Sequence, residues 1–189
     1  SKNYEVYLAP AAHIPNILRE IGRLREITFR DIGEGTNKAI DLDKFDQYYH
    51  HMFLWDAEAE CLAGAYRMGL GSDIYKAKGI DGFYLQDLFR FEPELHKMMS
   101  QSIELGRAFI IKTYQQKPMP LFLLWKGIVH TTLRFPDHKY LIGGVSISNQ
   151  FSNFSKSLMI EFMKSHYYDP YLAQYVTPKK EFKVKLKDA

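Results

Sequence analysis

Glu104 and Arg107, an acid and a base three residues apart, interrupt a run that otherwise turns apolar: Ser102-Ile103-Glu104-Leu105-Gly106-Arg107-Ala108-Phe109-Ile110-Ile111. Its second half has the composition of a strand buried on both faces of a sheet. Charges on such a strand are costly to desolvate unless they are paired or used. A carboxylate there suits general-base work, with a pKa raised by burial. An arginine there suits a carboxylate partner, because guanidinium makes two parallel hydrogen bonds. A glycine-free loop follows over residues 114–119, then an apolar helix over about 120–135. Strand, loop and helix in that order aim a helix N-terminus at an anionic group.

The elements that must position this unit can be read in chain order. Residues 4–8 have strand composition and stop at Pro10. Ile14, Ile17, Leu18, Ile21 and Leu24 recur at helical spacing, which predicts a helix over about 13–29 that tolerates Pro15 in its first turn. Two glycines mark a surface loop over 33–39. Strands are predicted over 51–56 and 61–68, joined as a hairpin through residues 57–60. Gly69, Gly71 and Gly79 predict a loop leading to the aromatic-rich stretch 83–91, with a short helix over 93–99. Residues 140–146 read as another buried strand, whose glycines imply a close approach to its backbone. A helix is predicted over 152–166 with Ser152 as N-cap, and 181–187 alternate as a one-sided strand. The order β-α-β-β-insert-β-α-β-α-β is mixed α/β, and the whole of 1–189 is expected to form a single domain.

Composition narrows the function classes. A net charge of +3 is too mild to argue for nucleic acid. The single Cys61 excludes an intramolecular disulfide and a multi-cysteine zinc site. No His/Asp/Glu set has metal-ligand spacing, so no metal is expected, and Ser146 and Ser148 lack the surroundings of a serine nucleophile. No apolar run approaches the length of a membrane span and the start is unlike a signal peptide. Cytoplasmic placement is the expectation, with association at the inner face of the membrane left open.

The ordered charged positions resemble the GNAT acyltransferases, in which a central strand splays from its neighbour and an acyl-pantetheine arm lies in the gap. More specifically they resemble the N-acyltransferases that make lyso-ornithine lipids, often labelled haemolysin-like, and more distantly the acyl-homoserine-lactone synthases. The matching positions are Arg25 and Phe29, Asp43 and Asp46, His51, Arg67, and Glu104 with Arg107. The tetrapeptide Glu104-Leu105-Gly106-Arg107 and the stretch Leu124-Trp125-Lys126-Gly127-Ile128 resemble the ornithine-lipid group in particular. The resemblance implies a mixed central sheet with splayed middle strands flanked by helices. It implies Glu104 and Arg107 as catalytic, and Arg25, Phe29, Asp43, Asp46, His51 and Arg67 around the acceptor. Phe109, Ile110, Ile111, Lys117 and Trp125 would hold the acyl-pantetheine arm.

The implied activity moves a 3-hydroxylated fatty acyl group from acyl carrier protein to the α-amine of an amino acid, ornithine first and glycine as its competitor. No cofactor is held permanently; the donor is an acyl-phosphopantetheine. GNAT enzymes that use coenzyme A cradle its pyrophosphate in a glycine-containing loop, whereas 114–120 here carry two prolines and no glycine. Prolines remove N–H donors, which favours the single phosphate of a carrier protein, met by Lys117. The lysines at 179, 180, 183, 185 and 187 offer a basic stretch to that acidic carrier, or simply guard an edge strand. Two other readings stay open. One is a lactone synthase using S-adenosylmethionine, disfavoured because residues 33–36 lack the tryptophan usual there. The other is a non-catalytic docking module, in which Asp43, Asp46, Arg67 and Arg107 form only a structural ion network and His51 only packs.

Overall fold

The computed structural model describes residues 3–182. Among them the strands are β1 (Tyr4–Pro10), β2 (His50–Asp56), β3 (Cys61–Leu70), β4 (Phe89–Phe91), β5 (Ser102–Ile110), β6 (Tyr140–Gly143) and β7 (Val176–Pro178). The helices are α1 (Pro15–Asp31), α2 (Gly71–Lys78), α3 (Leu85–Leu88), α4 (His96–Ser100), α5 (Pro118–Arg134), α6 (Asn153–Tyr167) and α7 (Pro170–Ala173). The central sheet runs β1-β2-β3-β5-β6, antiparallel except for the parallel pair β5–β6. β4 and β7 make a separate antiparallel ribbon.

Strand alternation covers both faces of the sheet. Met52 and Leu54 of β2 pack with Leu124 and Ile128 of α5, while Phe53 packs with Ile21 of α1. Each such aliphatic side chain taken fully out of water contributes roughly 1.5–3 kcal/mol. A third cluster, Phe45, Tyr49, Ile74, Phe83 and Met99, joins the segment before β2 to α2 and α4. The β2–β3 turn is held by Asp56, whose carboxylate accepts from the N–H groups of Glu58 and Ala59.

Two strands part, as the resemblance to GNAT acyltransferases implies. β6 pairs with β5 only from Ser102↔Tyr140 to Leu105↔Gly143, and β5 runs on to Ile110 without it. The strand expected over 140–146 is therefore shorter, and it is exposed at three of its four residues because it forms the sheet's edge. The loop expected over 69–79 is largely α2. Its glycines stand at the ends, with Gly79 at φ +66° closing the helix. Asp73 in the first turn and Lys76 and Lys78 in the last suit the helix dipole. Ser152 caps α6 as expected, accepting from Ser155 N–H, yet no residue of α6 is buried. The predicted strand over 181–187 lies almost wholly outside the described residues.

Candidate active site

The segment between α1 and β2 carries three aspartates onto the sheet. Gly22 of α1 makes this possible, because a Cβ there would come within 2.6–2.7 Å of Ile40 and Leu42 side-chain atoms. The crossing is fixed by Asp41 N–H donating to Gly22 O at 3.0 Å. Asp43 and Asp46 then form a reciprocal capping box on a short 3-10 turn. The Asp43 carboxylate accepts from the N–H of Phe45 (2.9 Å) and Asp46 (3.2 Å), and Asp46 accepts from Asp43 N–H (2.8 Å).

Three arginines answer these acids. Arg25 donates to Asp41 (3.0 Å) and to both oxygens of Asp46 (3.0 and 2.8 Å). Arg67 of β3 donates to Asp43 (2.6 Å) and lies 3.3 Å from Asp46. Arg107 pairs loosely with Asp41 (3.6 Å) and Asp43 (3.7 Å). Burial works against the Asp46 charge, but the Arg25 hydrogen bonds and the charges of Arg25 and Arg67 hold its pKa down at about 2. Arg107 stands on a β-bulge: Ala65 pairs with Phe109 but Arg67 with Gly106, so β5 carries an extra residue. Its φ of +50° is in the left-handed region, a strained conformation of the kind found at functional sites.

Glu104 sits on the same strand, 2% exposed. It accepts from the Tyr49 hydroxyl, from Tyr84 N–H (3.1 Å) and from Leu85 N–H (2.7 Å). Burial pushes its pKa up, and the Tyr49, Leu85 and Tyr84 donors oppose that. Gly69, its partner on β3, lets Tyr49 approach, since a Cβ there would meet the Tyr49 ring at 2.6 Å. The Tyr84 ring covers the arginines, with Arg67 and Arg107 guanidinium carbons 4.9 and 5.5 Å from its centroid.

The residues expected at the site are enclosed to different degrees. Arg25, Asp46 and His51 are at most 1% exposed; Arg25 bonds Asp46, and His51 Nε2 lies 2.9 Å from Asp46 O, while among the described residues its Nδ1 has no hydrogen-bond partner. Arg25 and Asp46 thereby fix the 41–46 segment against α1. Glu104, expected as the general base, is enclosed by three protein donors and holds the segment at 84–85. Asp43 and Arg107 are the members that reach an opening, with side chains 27% and 23% exposed. Arg67 Nη2 and Arg107 Nε are buried without a hydrogen-bond partner among the described residues. Asp41, Tyr49 and Tyr84 were missed as members. Tyr84 carried only the signal of an aromatic-rich stretch, and Asp41 could have been found as the third acid spaced with Asp43 and Asp46.

A groove of about 280 Å³ begins one residue along β5 from Arg107 and one turn along α1 from Arg25. Ala108, Phe109 and Ile110 line it from the edge of β5 that β6 has left; Phe29 and Ile32 line it from α1, and Leu121 and Leu124 from α5. Phe29, expected around the acceptor, lines this groove. Of the residues expected around the acyl arm, Phe109 and Ile110 line this groove, whereas Ile111, Lys117 and Trp125 do not. Lys117 is exposed over the Tyr114 ring (4.2 Å), and Trp125 is 56% exposed on the outer side of α5. At the start of α5, Pro118 and Pro120 have no N–H to offer an anion. Among the described residues no cluster of His, Cys, Asp or Glu is placed to hold a metal, and no helix is long and apolar enough to cross a membrane.

A family profile described as an acetyltransferase (GNAT) domain matches residues 24–125, a span that includes the second half of α1, the acidic segment, β5 and the start of α5. The chain belongs to the GNAT family. Among curated proteins, this GNAT chain is 33% identical over 178 residues to a glycine N(alpha)-acyltransferase of Bacteroides thetaiotaomicron, covering 88% of the chain and 53% of that protein. It is 31% identical over 191 residues to a glycine N(alpha)-acyltransferase of Phocaeicola vulgatus, covering 95% of the chain and 58% of that protein. The chain thus spans little more than half the length of these curated relatives. Among solved structures, its fold is similar to that of the AHL synthase LasI, with a TM-score of 0.52 at 12% identity over 84% of this chain and 77% of that one.

Proposed function

We propose that this GNAT domain transfers a fatty acyl group from a thioester donor to the α-amine of glycine, releasing an N-acylglycine. The observation that carries this is the junction of an apolar groove with a rim of one free-edged carboxylate and one guanidinium, Asp43 and Arg107. A zwitterionic amino acid complements that rim, its carboxylate toward Arg107 and its amine toward Asp43. Arg67, with an unpartnered Nη2 beside them, supplies further positive charge. The amine must lose a proton before its nitrogen attacks the thioester carbon, and Asp43 accepts that proton directly or through a water. The C–N bond forms, the C–S bond breaks, and the thiolate takes up a proton as it leaves. Backbone groups along the edge of β5 beyond Leu105 are suited to stabilise the developing oxyanion. Glycine is preferred over ornithine because both curated relatives carry glycine in their names.

For the donor we propose acyl carrier protein over coenzyme A. Two prolines in the first turn of α5 leave few N–H groups for a pyrophosphate, and the pantetheine arm of a carrier protein has one phosphate to place. The decisive experiment offers the purified chain glycine, ornithine and serine, each with acyl carrier protein and coenzyme A thioesters, with products read by mass spectrometry. N-acylglycine formed fastest from the carrier protein is expected. Turnover confined to another amine, or confined to coenzyme A, would overturn the acceptor or the donor assignment respectively.

A further inference from the structure

α5 buries one side and leaves the other to solvent with no matching element. Leu121, Trp125, Val129 and Leu133 recur every fourth residue and are 49–72% exposed, with Phe122 beside them at 60%. Side chains four apart stack on one helical face, so these make a single stripe. Scattered exposed apolar residues need no explanation; a continuous stripe with a tryptophan at its middle does. The helix contains no aspartate or glutamate. Lys126, His130 and Arg134 also recur every fourth residue, along the flank next to the stripe. They line a cleft of about 360 Å³ against β1, whose floor is Val6, Leu8 and Met52. Among the described residues no carboxylate side chain lines that cleft and none of these three basic side chains makes a salt bridge.

We propose that the outer side of α5 docks on an anionic lipid bilayer. The stripe enters the boundary between headgroups and acyl chains, and the row of Lys126, His130 and Arg134 meets the lipid phosphates. A helix with aromatic and aliphatic residues on one side and cations on its flank is the form that lies in a membrane interface. A second copy of the chain fits poorly, since its own α5 would bring cations and no acid. An acidic protein would answer the cations but leave five apolar side chains without a match. The stripe also meets the groove of the active site at Leu121, which lines that groove while remaining 49% exposed. Docking this way sets the groove mouth beside the lipid phase. The inference stands on the surface chemistry of α5 and does not depend on which amine is acylated.

The test uses the purified full chain with vesicles of phosphatidylcholine alone and vesicles containing phosphatidylglycerol. Flotation with the anionic vesicles only, reversed by high salt, is expected. Trp125 emission should shift to the blue on binding, a shift that Trp125→Phe removes while flotation persists. Lys126→Gln and Arg134→Gln should each lower partitioning roughly fivefold, the effect of losing about one surface cation. Val129→Glu with Leu133→Glu should abolish flotation and leave acyl transfer to a soluble acceptor unchanged; Val129→Ser with Leu133→Ser is the milder pair should the charged one misfold. Failure of the wild type to float with anionic vesicles would overturn the proposal. So would a dimer in the absence of lipid that the stripe substitutions dissolve, or flotation indifferent to those substitutions.

Discussion

Replacing Glu104 by glutamine separates a base from a strut. The carboxylate now receives three hydrogen bonds on two oxygens, from Tyr49, Tyr84 and Leu85. The amide keeps one oxygen and puts an NH₂ group in place of the other. If that oxygen stays on Leu85 N–H, the NH₂ faces Tyr49 and Tyr84. The Tyr49 hydroxyl can rotate to accept, and Tyr84 N–H already has it as a second acceptor at 3.0 Å. The backbone N–H cannot rotate, so about one buried donor is weakened or lost. That costs about 1–3 kcal/mol, with some relief from no longer burying a charge. In a domain of this size each kcal/mol lowers the melting temperature by about 2–4 °C, which predicts a fall of roughly 2–10 °C. Because the Tyr84 ring covers Arg67 and Arg107, KM for the proposed acceptor, glycine, should rise more than kcat falls. Differential scanning calorimetry and steady-state kinetics over a range of pH check both. An unchanged melting temperature together with a kcat reduced a hundredfold or more, and an altered acidic limb in the pH profile, would refute the strut and restore Glu104 as the general base.

Two further outcomes follow from the same geometry. Ala108→Trp places an indole in the groove along the free edge of β5, so kcat/KM for long-chain donors should fall by roughly tenfold or more while acetyl-length donors are spared; equal losses for both would show that the acyl chain lies elsewhere. Acid should unfold the protein through the struts. The pKa of Asp46 and that of Glu26, which is held by Thr36, Arg30 and Asn37, are both lowered to about 2. Depressed carboxylates carry stability that is fully present above their unfolded values near about 4 and is lost as pH falls toward 2. Glu104, with its pKa raised, works in the opposite sense. Thermal melts should therefore drop between about pH 4 and 2, less steeply in Asp46→Asn, and a flat profile there would count against the network.

Much of the frame was legible because periodicity is local. The hairpin of β2 and β3, the helices α1 and α5 and the strand β5 follow from apolar spacing and turn residues, while the parting of β5 from its neighbour came only from the resemblance to GNAT enzymes. α2 was hidden by glycines that end a helix as readily as they mark a loop. The site divided differently. Asp43 and Asp46 were visible as a spaced acidic pair, but spacing alone does not distinguish a capping box from a ligand-binding pair. Which charged residues are enclosed and which reach an opening depends on Gly22 and Gly69 admitting close neighbours. That is a tertiary fact without a sequence period. Tyr84 joins the site through its backbone N–H as much as its ring, and a backbone contact leaves little trace in residue type.

The extra residue in β5 has a consequence for counting. In an unbroken strand, positions 104 and 107 fall on opposite faces, because side chains alternate and the separation is odd. Here Glu104 and Arg107 both reach Tyr84, and the packing records where parity changed: Ile103 and Leu105 join the α5 layer before the bulge, while Phe109 joins the α1 layer after it. An acid and a base at a spacing wrong for a β-strand were therefore a written sign of the irregularity itself. Removing one residue between them would restore ordinary alternation and turn every later side chain of that strand over, sending Phe109 toward the α5 layer and Ile110 toward the α1 layer.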